Sequence, residues 1–149
     1  MLGLSVESNG GKVSAKWKQV ASGDTMKKIV VTTMRKIGIR LQGTMMRKVS
    51  GDLLNVRSGR LRRSLYYLVV EDDKNTYVSA GANLLKAPYG RIHDLGGVIN
   101  RTGPNGNWSI RIKPTGYVTS SLQDDRDFIN EQVDKAAEAI VKELANAPE

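Results

Sequence analysis

The sequence predicts a single α+β domain, in which an antiparallel sheet of hairpins packs against a long helix in the N-terminal half and a C-terminal helix. Two apolar stripes with helical spacing, one beginning near Asp24 and one near Ser121, indicate the helices. Between them lie two pairs of short β-rich runs, each pair joined by a polar, turn-forming connector. Hairpins combined with flanking helices are typical of α+β domains.

Length and composition agree with one folded domain. The chain has 149 residues, of which 40% are apolar and 26% charged, as in ordinary globular proteins. We therefore take 1–149 as one domain, with 1–23 as an N-terminal extension. The absence of Cys excludes disulfides and thiolate metal sites. No apolar run reaches the roughly 20 residues of a membrane span, so we expect no membrane partner.

The N-terminal extension predicts a strand followed by a short helix. Apolar and other residues alternate from Leu2 to Glu7, which indicates a strand. The segment SNGG at 8–11 indicates a turn. Val13 and Trp17 are four residues apart, which favours a helix from Lys12 to Ala21.

The longest predicted helix begins at Asp24, whose side chain we expect to cap it, and ends at 50–52. Gly38 and Gly43 lie inside it and cost about 1 kcal/mol each relative to Ala, so we expect another element to pack closely there. We expect the stripe to be buried against the sheet. It consists of Met26, Ile29, Val30, Met34, Ile37, Leu41 and Met45.

The C-terminal helix is predicted from Ser121 and Asp124, which have capping-box spacing, and it ends at Ala147 and Pro148. Acidic residues in its first turn favour the positive end of the helix dipole. The predicted buried face contains Ile129, Val133, Ala136, Ala137, Ile140, Val141 and Leu144.

Two short helices are predicted in the middle of the chain. Ser58 is a suitable N-cap for a helix from Gly59 to about Leu65. A helical turn from Tyr89 to Leu95 would be stopped by the two glycines at 96–97.

Two hairpins are predicted beside these helices. Tyr66 to Val70 and Thr76 to Gly81 are β-rich runs separated by a polar turn. Val98 to Asn100 and Trp108 to Ile112 form the second pair. Their connector at 101–107 is rich in Gly, Pro and Asn, so we expect a flexible, exposed loop that becomes ordered against a partner.

The residues give little support for catalysis or metal binding. His93 is the only His, and although Asp94 follows it, no G-x-S-x-G turn is present to expose a nucleophilic Ser. Asp72, Asp73 and Asn75 have oxygen ligands but not the ordered set of a calcium loop, so we interpret them as a charged turn. We therefore expect no enzyme activity, no cofactor and no metal.

Positive charge is concentrated in one half of the chain. Residues 1–67 hold 14 Lys and Arg against 3 Asp and Glu, whereas 68–149 hold 9 against 12. The densest basic cluster, Arg57, Arg60, Arg62 and Arg63, precedes Tyr66 and Tyr67. Basic residues beside aromatic ones can bind phosphate and stack bases, so a nucleic-acid-binding protein is the alternative function. A solvated basic face and an oligomer contact are the other interpretations.

Two segments resemble motifs of one protein family. Val56 to Leu65 (VRSGRLRRSL) resembles the (T/S)-G-R-L-R-(R/K)-S-(I/L) segment of phage tail-completion and neck proteins. Tyr89 to Gly97 (YGRIHDLGG) resembles their Y-A-x-(I/V)-(H/E)-x-(F/L)-G-G segment. That family includes tail-completion proteins of siphophages, the minor tail protein Z type and Mu-like virion morphogenesis proteins. The resemblance covers most of 24–146, but the family's R-P-(F/W) segment is matched only approximately by IKPTGY at 112–117.

The resemblance implies a non-enzymatic structural virion protein at the head–tail junction or tail end, formed in the host cytoplasm. Its expected partners are copies of itself in a ring, head-connector proteins and tail-terminator or tail-tube proteins, with DNA in passing contact. Head-to-tail contacts between basic and acidic faces close into rings where the rotation allows it. The expected interface residues are Arg57, Ser58, Gly59, Arg60, Arg62, Arg63, Tyr89, Arg91, His93, Gly96, Gly97, Arg101 and Asn105.

Overall fold

The structure, a computed structural model, describes residues 4–9, 12–18, 24–54, 59–72 and 75–146. It confirms the α+β fold class, with antiparallel hairpins packed against a long helix and a C-terminal helix. The elements are β1 (Leu4–Asn9), β2 (Lys12–Lys18), α1 (Asp24–Arg47), a π-helical turn (Lys48–Asp52), α2 (Arg60–Ser64), β3 (Leu65–Glu71), β4 (Asn75–Ala82), α3 (Gly90–Leu95), β5 (Gly97–Gly103), β6 (Gly106–Ile112), α4 (Tyr117–Asp124) and α5 (Arg126–Ala145).

The strands form two separate antiparallel sheets. The larger has the order β1-β2-β4-β3, and the smaller is the β5–β6 hairpin alone. The predicted first hairpin is confirmed as β3–β4, in which Val69 pairs with Val78. Its turn holds Asp72, whose Oδ1 accepts a hydrogen bond from the Asn75 amide at 2.6 Å, whereas Asp73 lies outside the described residues.

The helix predicted from Lys12 to Ala21 is wrong, because residues 12–18 form strand β2. β2 pairs with β1 on one side and with β4 on the other. A separation of four residues, as between Val13 and Trp17, fits a strand period of two as well as a helical turn. Ala15 lies midway between them, so the three residues also fit the alternation of a strand. Pairing with β4 favours the strand over the helix. The strand predicted at 2–7 is confirmed as β1 at Leu4–Asn9, and the connector at 10–11 lies outside the described residues.

Helix α1 supplies most of the core. Val30, Met34, Ile37, Leu41 and Met45 are all buried, as the stripe predicted. They join Val78 and Ala80 of β4 in one apolar cluster. Asp24 is the first helical residue, so its capping role stays a prediction. The predicted end at 50–52 is confirmed, because the π-helical turn stops there at Gly51.

The two glycines of α1 have different surroundings. At Gly38, a Cβ would lie 2.8 Å from Tyr67 Cγ and 2.9 Å from Val78 Cγ2, so the predicted close approach is confirmed. At Gly43 no atom lies within 4 Å of the Cβ position, so the expectation was wrong there. Gly38 therefore lets the sheet come close to the helix, while Gly43 faces open space.

The C-terminal helix starts earlier than predicted, and a break divides it into α4 and α5. The capping box is wrong, because Ser121 lies inside α4 and its hydroxyl donates to the Tyr117 carbonyl at 2.6 Å. Asp125 stands at the break and takes the N-cap position of α5 without a side-chain capping bond. Its carboxylate turns inward instead and accepts a hydrogen bond from Arg40 Nε at 2.8 Å.

The buried face of α5 is shorter than predicted. Ile129, Ala136 and Ile140 are buried, whereas Val141 and Leu144 are exposed. The last turns of the helix extend past the core and have no apolar partner among the described residues. The apolar spacing therefore continues beyond the part of the helix that packs.

The second hairpin is longer than predicted. Residues assigned to a flexible loop at 101–107 are mostly paired, with Arg101 opposite Trp108 and Thr102 opposite Asn107. The turn itself is only Pro104 and Asn105. One glycine stands at each end of this turn. The sequence analysis interpreted these glycines as signs of flexibility, but they instead end the two strands at a tight turn.

Exchange of Gly38 for Ala tests the close approach of helix and sheet. We expect Gly38→Ala to lower the free energy of unfolding by about 1–2 kcal/mol, because Tyr67 and Val78 must move to admit the methyl group. Gly43→Ala is the matched control, and it should raise stability by about 1 kcal/mol through helix propensity. Urea denaturation of both variants measures the difference, and equal effects would contradict the packing described here.

Exchange of Arg40 for Gln tests the bridge between α1 and the α4–α5 break. The Asp125 side chain is only 1% exposed, and its Oδ2 has no hydrogen-bond partner among the described residues. Loss of the guanidinium would leave a buried carboxylate unpaired, so we expect a loss of about 3 kcal/mol in thermal or urea unfolding. Lys135→Gln, which removes an exposed ion pair with Glu131, should cost less than about 0.5 kcal/mol. Similar losses in the two variants would refute the distinction.

Candidate interaction surface

The arginine segment forms a short helix with one apolar and one basic side. Gly59 precedes α2 in the left-handed region, with φ of 63°, which favours glycine. Leu61 packs against the core and Leu65 is buried, as predicted. The basic side consists of Arg60, Arg62 and Arg63, all exposed. Arg57 and Ser58 lie outside the described residues. The N-cap position of α2 is Gly59, without a side-chain capping bond, so the prediction that Ser58 takes this position is wrong.

A rigid loop after β4 lies beside this helix. Asn83 Oδ1 accepts hydrogen bonds from the amides of Leu85 at 3.0 Å and Lys86 at 3.3 Å. Arg60 Nε donates to the Lys86 carbonyl at 2.6 Å and so joins α2 to the loop. The turn holds Leu84 partly exposed and Leu85 92% exposed. An apolar projection thus stands next to the basic side of α2.

The two motif segments come together in the fold. A Cβ at Gly90, the first residue of α3, would lie 3.0 Å from Leu61 Cδ1 and 3.2 Å from the Ala82 Cβ. A side chain at this position would force Leu61 or Ala82 to move by a few tenths of an ångström. The two segments that carry the resemblance are more than twenty residues apart in the sequence, and they meet at this buried contact.

Backbone carbonyls of the second motif also hold the C-terminal part of the chain. The Tyr89 and His93 rings meet edge to face at 5.8 Å. The His93 carbonyl accepts hydrogen bonds from the Thr115 amide at 2.9 Å and hydroxyl at 2.7 Å. The buried Tyr117 hydroxyl donates to the Gly90 carbonyl at 3.3 Å. His93 thus has a structural role through its backbone, and Arg91 beside it is exposed.

Asp94 caps a helix that has no capping side chain of its own. The N-cap residue of α4 is Gly116, and the buried Asp94 Oδ1 accepts the Val118 amide hydrogen at 3.0 Å. This supplies the side-chain acceptor that a helix N-terminus requires. Burial raises the pKa of Asp94 above its ordinary 3.8, and the bond from Val118 opposes part of that rise.

Gly96 ends α3 at a position that excludes other residues. Its φ is 75°, and a Cβ would lie 2.8 Å from Pro114 Cδ and 3.1 Å from the Ile112 carbonyl oxygen. Gly97 follows as the first residue of β5. The predicted stop after Leu95 is therefore confirmed, and the chain turns directly into the hairpin.

The predicted interface residues fall into two groups. Gly59, Arg60, Arg62 and Arg63 lie in α2 or at its start, and this helix meets the second motif where Leu61 lies against Gly90. Arg101 and Asn105 lie on the β5–β6 hairpin, whose strands pack mainly against each other. The Arg101 guanidinium stacks over the Trp108 ring at 5.8 Å, and Asn105 is in the turn.

Sequence reasoning missed two parts of the site. Leu84 and Leu85 belong to no periodic pattern in the sequence, and an apolar pair there gives no sign that it projects outward. Asp94 was considered only as a partner of His93, because nothing in the sequence connects it with Val118, 24 residues away. The single available signal was Gly116, which leaves α4 without a capping side chain.

The exposed side chains of α2 and of the loop after β4 are basic and apolar. Within the described ranges, no group of three or more His, Cys, Asp or Glu residues is placed to hold a metal ion. The described helices include none with the length and apolar character to cross a membrane. Exposed arginines beside exposed leucines match the composition of protein interfaces, in which Arg is enriched.

Comparison with known proteins gives no relative. Neither a protein-family model, nor a curated protein, nor a solved structure matches the chain.

The Asp94 cap has a testable pH dependence. Because its pKa is raised in the folded state, the folded chain keeps a proton that the unfolded chain has already released above pH 3.8. The contribution of Asp94 to the free energy of unfolding is therefore largest below pH 3.8, and it is lost as the pH rises through the raised pKa. Asp94→Asn keeps a carbonyl acceptor and cannot ionise, so it should gain stability relative to the native chain as the pH rises from acid to neutral.

Denaturation of both proteins across that pH range measures the gap in free energy. Asp134→Asn, which removes an exposed carboxylate, controls for the change in net charge. A gap that stays constant with pH for Asp94→Asn would contradict the buried, ionisable cap.

Proposed function

We propose that the protein is a non-enzymatic structural component of a tailed-phage virion, which joins the head connector to the tail as part of a neck or tail-completion ring. The observation that carries the proposal is the contact between α2 and α3. The two segments with the family resemblance meet where Leu61 lies against Gly90, which supports a shared role for them.

The chemistry of this surface supports a protein partner. Leu85 offers an exposed apolar contact, and Arg60 joins its loop to the basic helix α2 through the Lys86 carbonyl. Arginine's planar group pairs with carboxylates in bidentate geometry, which favours a defined register between rigid proteins. We propose that the surface binds an acidic face of a neighbouring junction protein.

Substitutions on the surface test the proposal in particle assembly. Arg60, Arg62 and Arg63, replaced together by Gln, should leave the chain folded but cause separate heads and tails to accumulate when the gene is supplied to a phage that lacks it. Leu85→Gln should do the same, and its 92% exposure makes an effect on folding negligible. Lys28, Arg35 and Lys36, replaced together by Gln, form the control, because they remove the same charge from the exposed side of α1.

The outcomes distinguish the proposed interface from a net-charge effect and from the nucleic-acid function. Normal yields of infectious particles with both surface variants would overturn the proposed interface. Equal defects in the control triple would assign the effect to net charge rather than to this surface. A variant that assembles but loses salt-sensitive DNA binding would instead favour the nucleic-acid function, since such binding weakens steeply with salt.

A further inference from the structure

The β5–β6 hairpin has two chemically different faces. In an antiparallel pair, residues opposite each other point to the same side of the ribbon. One face has Ile99 opposite Ile110 and Arg101 opposite Trp108. The other face is mainly polar, with Asn100 opposite Ser109 and Thr102 opposite Asn107. The hairpin is therefore amphipathic.

Its apolar face is not covered. Trp108 is 49% exposed and Ile110 is also exposed, while the strands pack mainly against each other. An isolated two-stranded ribbon has marginal stability in water, and it gains stability when one face packs against another element. Trp and Arg, which stack here, are the residue types that most often dominate binding energy in interfaces.

The root of the hairpin is held rigidly. The entering and leaving segments are joined by bonds from the Thr115 amide to the His93 carbonyl and from the Gly116 amide to the Asp94 carbonyl, both 2.9 Å. Gly96 packs against Pro114 across the same root. The ribbon is thus an arm of fixed direction, and a preordered arm loses less entropy when it binds.

The arm has one sign of charge. Arg101 and Arg111 lie in its strands and Lys113 follows directly, while no Asp or Glu occurs between Asp94 and Asp124. A partner surface for the arm should therefore combine apolar side chains with carboxylates.

The outer face of α5 has that combination. Its exposed side chains at three- and four-residue steps form one stripe, which consists of Asp127, Glu131, Asp134, Glu138 and Val141. Val141 is 61% exposed, and Leu144 is exposed one turn further on. The stripe from Asp127 to Leu144 is about 25 Å long, and strands of the arm's length extend about 20 Å, so the two surfaces match in length.

We infer that the arm docks on the outer face of α5 of a second copy of this chain. Trp108 and Ile110 cover Val141 and Leu144, and Arg101, on the same face of the arm, lies along the carboxylates, whereas Arg111 points to the other face, opposite Val98. Arm and acceptor are different surfaces of one chain, so each copy binds the next in a head-to-tail contact that can close into a ring. The inference rests on the self-assembly part of the proposed function and names the contact that produces it.

The natural absence of Cys makes a direct test possible. Two proteins are prepared, one with Ile110→Cys and one with Val141→Cys, then mixed and oxidised gently. The expected product is a disulfide-linked dimer that contains one copy of each variant. Ile110→Cys mixed with Leu68→Cys is the control, since Leu68 is 53% exposed on β3, whose main contacts are with β4 and α1 and not with α5.

The outcomes distinguish the proposed contact from other contacts between copies of the chain. Dimers of Ile110→Cys alone would show arms that pair with each other and would overturn the inference. Equal cross-linking to Leu68→Cys would show non-specific collision and would also overturn it. If light scattering shows oligomers without the expected cross-link, the inferred contact is wrong, but the proposed self-assembly of the chain is retained. If the chain stays monomeric at all concentrations, both the inference and the proposed ring fail.

Affinity measurements provide a second, independent test. Trp108→Ser should weaken self-association by about 30-fold or more, as expected for a hot-spot side chain. Thr102→Ser, on the polar face of the same ribbon, should change it by less than about threefold. Sedimentation of both variants measures the dissociation constants, and equal effects would exclude a face-specific contact. Circular dichroism should show the body of each variant folded, because the arm is outside the core.

Discussion

Burial of the apolar stripe of α1 is the constraint on which the other elements depend. The helix contacts β3 and β4 on one side and α5 on another, and residues from all of these layers share one cluster. Gly38 sets the distance to the sheet, since Tyr67 and Val78 occupy the space that a side chain would fill. Gln42 extends the same organisation to the arginine segment, because its amide donates to the Leu65 carbonyl at 2.9 Å where α2 becomes β3.

The parts of the fold that sequence could predict are those with a dominant period. The α1 stripe has only a helical period and the β3–β4 hairpin only a strand period. The packing of the helix and the pairing of the strands agree with these periods. Prediction failed where two periods share the same residues, as at Val13 and Trp17, or where the decisive contact is distant in sequence. Asp125 is an example, because it stands at the break between α4 and α5 and pairs with Arg40, 85 residues away in the sequence.

The candidate surface was predictable only in part for the same reason. The motif residues of α2 and α3 could be named from the sequence, but their contact through Gly90 depends on the path of β3 and β4 between them. The exposure of Leu85 depends on Asn83, whose side chain bonds to the turn that presents it. Arg101 and Asn105, which sequence reasoning grouped with the arginines, belong to a different projection.

The separation of the β5–β6 hairpin from the core has a consequence for how this protein can evolve. Residues beyond Gly97 and before Ile112 contribute little to the apolar cluster, so their substitution has little effect on folding. Substitution of Gly96 or Asp94, by contrast, should affect folding, since the left-handed turn depends on Gly96 and the cap of α4 depends on Asp94. Such a division allows the tip to diversify rapidly with its binding partners while selection keeps its base unchanged.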